Sequence, residues 1–208
     1  GEKVLKKSPK EVMNLARAAY KEWKKTQVVE IPTEEEPNDE TAEKDNSMSL
    51  DLMESNAREG IKKYIISKGP YEFQELVAAL LRAMGYHTPF IAPKGKDGGI
   101  DIIAYLDPLG AQTPRIKVQV KHKPDTAIGP ADVRALSGVL KAGDIALFVT
   151  SGTYTADARN AATTNDKFIR LIDGELFIDM WQEYYDKMTD EDKNRLPLKR
   201  IAFLGSNE

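Results

Sequence analysis

The chain has 208 residues, 41% of them hydrophobic, with no cysteine and only two histidines, His87 and His122. That length supports one sizeable core, while the composition excludes a disulfide framework and any thiolate zinc site and fits a reducing cytoplasm. No run of about 18 apolar residues offers a membrane span. The net charge of −3 hides a division: residues 30–46, EIPTEEEPNDETAEKDN, hold eight acids and one lysine, a local −7, which leaves +4 on the remainder.

The first element, SPKEVMNLARAAYKEWKK, is predicted to be an amphipathic helix within residues 1–29. Ser8 is placed as N-cap, Pro9 in the first turn and Glu11 as in a capping box. Leu15, Ala19 and Trp23 form its apolar face. Residues 30–48 read as an acidic flexible linker, since they are too polar to offset their ordering entropy by burial. The alternative is an acidic segment that mimics DNA over a basic cleft.

Residues 49–208 are expected to form the body. SLDLMESNAREGIKKYIISKG reads as a helix with Leu52, Ile61, Ile65 and Ile66 toward the core, weakened by Gly60. The next helix, YEFQELVAALLRAMGYHT, has Phe73, Leu76, Val77, Leu80, Leu81 and Met84 at helical spacing and stops at Gly85. Gln74 falls at the edge of that stripe and Glu75 toward solvent.

Two alternating runs follow, joined by the turn sequence DPLGAQTP, and are predicted to form a hairpin. Ile100, Ile102 and Ala104 share one face of the first run, with Asp101, Ile103 and Tyr105 on the other. The second has Ile116, Val118 and Val120 on one face and Lys117, Gln119 and Lys121 on the other. Downstream come a helix (IGPADVRALSGVLKAG), a strand (DIALFVTSG), a helix (YTADARNAATT), a strand (FIRLIDG) and a closing helix (ELFIDMWQEYYDKM). A hairpin followed by alternating helices and strands indicates an α/β fold with a mixed sheet flanked by helices.

Period 2 puts Gln119 and Lys121 on one face, and hairpin pairing brings that face to Asp101. A carboxylate and an amide oxygen are hard ligands suited to Mg2+, which takes few protein ligands and keeps several waters. An ammonium two residues along can hold an attacking water or offset charge on a phosphorus centre. There is no serine or cysteine nucleophile with a base and no GxxxxGK[ST] loop, so metal-assisted phosphodiester hydrolysis is the economical reading.

The ordered set FQELVAALLRAMGY, GKDGGIDIIAY, VQVKH, FVTSGTYTADA and LIDG resembles the catalytic domain of Mrr-type restriction endonucleases, within the PD-(D/E)xK nucleases. The resemblance covers roughly residues 70 to 180. It implies a restriction-endonuclease-like core, Mg2+ dependence and cleavage of double-stranded DNA, foreign or modified in many relatives. It places the family's strand-leading aspartate on Asp101, its D/E position on Gln119 and its lysine on Lys121. The acid often found in the first helix falls on Gln74, a departure from the pattern. Asp97, in the glycine-rich approach to the first strand, is a candidate to support the ligands.

The expected function is thus a metal-dependent endonuclease of a restriction system, acting as a homodimer because one such site cuts one strand. A non-cleaving DNA-binding or assembly module on the same fold is the alternative. His122 alternates to the apolar face and reads as an interior histidine. Trp181, Tyr184 and Tyr185 read as core or interface residues.

Overall fold

The computed structural model describes residues 39–95 and 99–201, with only the backbone for residues 39–49. The first helix expected from the sequence and Asp97 lie outside the described residues. The described chain opens on a helix, α1 (Asp39–Ile66). Residues 39–48, expected as the end of the linker, are therefore its first turns. No proline or glycine follows Pro37 until Gly60, and acids at a helix amino end are favoured by the macrodipole.

Residues 51–208 form one compact unit that holds the whole sheet. Helix α2 (Pro70–Ala83) follows, with Pro70 in its first turn and Glu72 closing back on the Gly69 N–H at 2.8 Å. Strand β1 (His87–Ile91) pairs antiparallel with β2 (Ile102–Tyr105), and β2 with β3 (Arg115–Lys121). Helix α3 (Pro130–Gly138) crosses to β4 (Asp144–Thr150), and α4 (Ala156–Thr163) to β5 (Ile169–Ile172), both strands running parallel to β3. The order is β1-β2-β3-β4-β5. Helix α5 (Gly174–Tyr184), capped by Asp173, and the short α6 (Asp190–Arg195), capped by Thr189, complete the unit.

Each face of this mixed sheet carries its own core. On one face, Phe73, Leu76, Val77, Leu80 and Leu81 of α2 and Phe177, Ile178 and Trp181 of α5 cover Ile102, Ala104, Ile116 and Val118. On the other, Val133 and Leu136 of α3 and Ala158 and Ala162 of α4 cover Ala146, Phe148 and Ile169. The sheet is thus sandwiched by helices, as its sequence pattern implied, and Trp181 is a fully buried core residue.

Four features differ from the sequence reading. Strand β1 was not expected; it contains Pro89, which a sheet tolerates at an edge strand such as this one. Ile100 packs with the α3–α4 core instead of sharing a face with Ile102, because it precedes the strand, just after the positive-φ turn at Gly99, and the two-residue period begins later. Leu52 and Ile66 are exposed, at 63% and 38%; α1 docks through Ile61, Tyr64 and Ile65 and through Arg58, which bonds Glu175 and Asp179 at 2.6 Å each. Helix α6 was also not expected. Its Asp192 is buried against Arg82 of α2 at 2.5 and 3.1 Å. Among the described residues no helix is long and apolar enough to cross a membrane.

The carboxyl ends of β3 and β4 are packed backbone to backbone. The Ser151 N–H donates to the Lys121 carbonyl at 3.3 Å and the Gly174 N–H to that of Gly152 at 3.0 Å. A Cβ on Gly152 would overlap the Lys123 carbonyl oxygen, whereas one on Gly60 in α1 would meet nothing within 4 Å. Gly152→Ala is therefore expected to cost about 1–3 kcal/mol by overpacking. Gly60→Ala should add about 0.5–1 kcal/mol, the ordinary helix-interior difference. Denaturant unfolding monitored by circular dichroism measures both, and equal effects would contradict this packing.

Candidate active site

The sheet changes from antiparallel to parallel pairing at β3, so the start of β2 and the ends of β3 and β4 meet at one end. Ligands of open α/β sheets gather at such carboxyl ends. In the β2–β3 ladder Ile102 stands opposite Val118 and Ile103 opposite Lys117. The ladder ends at Ile102, and the Asp101 N–H just before it reaches the Val118 carbonyl, so Asp101 sits at the head of β2 beside the Val118–Val120 end of β3. Across β3, Gln119 stands beside Phe148 and Lys121 beside Thr150. Phe148 belongs to the α3–α4 core, so Gln119 and Lys121 lie on that face.

Asp101 is held by its backbone and its side chain together. Its N–H donates to the Val118 carbonyl at 2.8 Å, its carbonyl accepts from the Ala92 N–H at 2.7 Å, and its Oδ2 accepts from the Val120 N–H at 2.7 Å. The carboxylate is therefore pinned at the strand junction, one residue from Gln119.

Gln119 supplies the sharpest chemical observation. Its Oε1 is buried and has no hydrogen-bond donor among the described residues. An unsatisfied buried carbonyl costs roughly 1–3 kcal/mol. A cation is a natural partner for such an oxygen when a carboxylate is held on the neighbouring residue's N–H, as Asp101 is on Val120. The donor set fits a hard divalent ion that keeps much of its water, and fits poorly an ion that needs a full protein cage. Among the described residues there is no cluster of three or more His, Cys, Asp or Glu able to hold a metal; Asp101 and the Gln119 amide are the candidate ligands.

Lys121 is partly exposed, and its Nζ donates to Asp132 Oδ1 in the first turn of α3; the Nζ lies 5.9 Å from the centre of the Phe148 ring. Sequence reasoning did not single out Asp132. The Gly-Pro-Ala-Asp start of a helix already explains an acid at that position, and no spacing rule connects a strand end with a helix eleven residues on.

Gln74 does not stand at an exposed edge. It is 6% exposed, and its Nε2 donates to the Ala92 carbonyl at 2.9 Å. An amide can make that bond; a carboxylate cannot. The departure from an acid at this position thus has a local cause: Gln74 braces Ala92, which in turn bonds Asp101. Glu75 also differs from expectation. It is half-buried, 3.7 Å from Arg195 of α6, because α6 covers the side of α2 that the helical wheel assigned to solvent.

His122 is half-buried, 5.2 Å ring to ring from Phe73, and its buried Nδ1 has no hydrogen-bond partner among the described residues, so it packs inward as expected but is not a satisfied histidine. Asp173 caps α5 through the Leu176 N–H. Burial works to raise its carboxyl pKa, but the Arg159 guanidinium at 2.8 Å and that N–H outweigh it and hold it below the usual range. Burial pushes the Tyr154 hydroxyl well above its ordinary value, and it donates to the Phe148 carbonyl at 2.6 Å. Both groups fix the loop beside the strand ends.

Residues 66–181, more than half of the chain, match the Mrr_cat family of restriction endonucleases. The chain belongs to this restriction endonuclease family. Its fold is similar to that of AspBHI, a DNA modification-dependent restriction endonuclease, at 17% identity and a TM-score of 0.53 over 67% of this chain. The MspJI restriction endonuclease, solved with a 27-mer oligonucleotide, aligns at 20% identity and a TM-score of 0.47 over 71% of this chain. The chain spans 38% of the length of each of these enzymes. No match to a curated protein was found. This restriction endonuclease domain thus carries the expected mixed-sheet core, with the strand junction as its candidate site.

The bond from Gln74 to Ala92 yields a test. Gln74→Glu replaces a donor by a carboxylate facing a carbonyl oxygen and is expected to cost about 1–3 kcal/mol. Gln74→Met, which also lacks the donor but carries no charge, should cost less. Thermal melts of the three proteins without divalent ions check the order, and a glutamate variant as stable as the parent would refute the brace.

Proposed function

We propose that this chain is the cleavage module of a restriction system, a Mg2+-dependent endonuclease that hydrolyses phosphodiester bonds of double-stranded DNA in the cytoplasm. The observation that carries this reading is the buried Gln119 Oε1, without a donor among the described residues, beside Val120, whose N–H holds the Asp101 carboxylate, with the Lys121 ammonium two residues along the strand. The family supports the nuclease chemistry. AspBHI's dependence on modified DNA makes methylated DNA the first substrate to try.

Asp101 and Gln119 would hold the cation, Asp101 with charge and Gln119 with a neutral oxygen. A bound divalent ion supplies Lewis acidity toward the phosphate and lowers the pKa of a water. Lys121 donates to the attacking water or to a phosphate oxygen and offsets the negative charge that develops in the transition state. Gln74 acts at a distance, keeping the Ala92 strand end against Asp101. Near Gln74 a cavity of about 380 Å3 is lined by Lys68, Lys94 and Arg195 together with Glu72 and Glu75, which pair with Lys68 and Arg195 and leave a net charge of about +1 for a phosphate backbone. One such site cuts one strand, so double-strand cleavage calls for two copies, a homodimer on DNA.

The rival reading, a nuclease fold that binds DNA without cutting it, is favoured by the single carboxylate in the donor set. Incubation with methylated and unmethylated plasmid, with and without Mg2+, separates the two. Cutting that needs the ion supports the enzyme; Mg2+-independent DNA binding with no cutting supports the rival.

Variants sharpen the test. Asp101→Asn should keep the fold, since its amide oxygen can still accept from Val120, but lose both Mg2+ binding and cleavage. Lys121→Ala should bind Mg2+ like the parent and cut about 100-fold more slowly, a loss of about 3 kcal/mol in transition-state stabilisation. Gln119→Glu should tighten Mg2+ binding by adding charge at a ligand position. Calorimetric titration beside a nicking assay reads all three. An Asp101→Asn protein that cuts like the parent would show the site to be misassigned.

A further inference from the structure

We infer that Asp132 is a positioning residue for Lys121, fixing the ammonium that acts at the strand junction; this rests on the nuclease reading above. A lysine side chain has four rotatable carbons and a compact charge that water solvates well, so one at a partly open strand end has no intrinsic reason to stay in a single place. In this structure Lys121, 25% exposed, is tied to Asp132, 34% exposed, through Nζ and Oδ1.

The tie is informative because Asp132 is itself immobile at its root. It lies in the first turn of α3, next to Val133, which is fully buried, and four residues before Leu136, the other buried residue of that helix. The lead-in to the helix is locked as well. The Ile128 N–H donates to the Thr153 carbonyl at 2.9 Å, and the Thr155 N–H to the Ile128 carbonyl at 3.0 Å. The α3 start is thereby stitched to the loop that leaves β4, whose last residue, Thr150, stands beside Lys121. The carboxylate that holds the ammonium and the strand that carries it thus belong to one rigid frame.

The helix amino end favours an acid at position 132 whether or not Lys121 is present. What that general preference does not provide is a partner for Lys121. Among the described residues Asp132 is the one acid with which Lys121 forms an ion pair. Asp132 therefore acts through the lysine: it narrows the positions open to the ammonium. It is assigned to the lysine and not to the cation because its Oδ1 accepts from the Lys121 Nζ.

The test is a double-mutant cycle on the full chain, read by single-turnover nicking of plasmid at saturating Mg2+. Asp132→Asn, nearly the same size, should slow cleavage by about 10- to 100-fold, as when a group that orients a functional side chain is lost. Mg2+ affinity by calorimetry should stay at the parent value, and Asp132→Glu should recover part of the rate. In the Lys121→Ala background, Asp132→Asn should cause no further loss. Asp132→Asn that cuts like the parent overturns the proposal. So does an equal further loss in the Lys121→Ala background, which would make Asp132 act independently. A fall in Mg2+ affinity overturns it too, by making Asp132 a ligand. If Lys121→Ala itself cuts like the parent, or if the parent cuts no DNA with any divalent ion, the nuclease reading fails and takes this inference with it. Those two outcomes are recognised without any Asp132 variant.

Discussion

Three hydrogen bonds to described residues hold Asp101, and they are the constraint on which the candidate site depends. Backbone N–H, backbone carbonyl and carboxylate each have a different partner, on β3, at the exit of β1 and again on β3. A carboxylate fixed in this way needs no reorganisation to receive a cation, and preorganisation of that kind is what makes an electrostatic site effective. The bonds exist because three segments converge where the sheet changes from antiparallel to parallel pairing. Gln74 extends the chain of bonds back into α2. A core helix, an edge strand and the candidate site are therefore one connected unit.

The same geometry divides the labour between the two faces of the sheet. Val118 and Ile102 look into the α2–α5 core and contribute burial, while Gln119 and Lys121, offset by one residue, look toward α3 and α4. Core packing and the candidate site are thereby carried by alternate residues of one strand. The cost of that arrangement falls on Gln119, whose buried oxygen lacks a donor. Such locally unfavourable groups in an otherwise consistent fold tend to mark function.

Much of this was legible in the sequence, for reasons that can be named. The helical stripe of α2 and the alternation of β2 and β3 are strong periodic patterns, so the core faces of Phe73, Leu76, Val118 and Ile116 were readable, and with them the shared face of Gln119 and Lys121. What escaped lacked a period. Strand β1 is short and interrupted by Pro89; α6 is polar along most of its length; Ile100 sits before the strand whose alternation it was assigned. Leu52 is apolar at helical spacing, yet α1 docks only through its later turns, a tertiary fact that no local pattern encodes. The Lys121–Asp132 pair likewise joins elements whose approach is set by packing of α3. Gln74 was seen as a departure from the family's acid, but its bond to Ala92, which explains the amide, needed the fold.

The central claim is that a divalent cation sits between the Asp101 carboxylate and the Gln119 amide oxygen. Anomalous diffraction from crystals of the protein soaked in Mn2+, a stand-in for Mg2+, locates the ion directly. The account predicts a peak within bonding distance of an Asp101 carboxylate oxygen and of Gln119 Oε1, absent from crystals of the Asp101→Asn variant. A peak elsewhere, or one at the junction that survives Asp101→Asn unchanged, would contradict it.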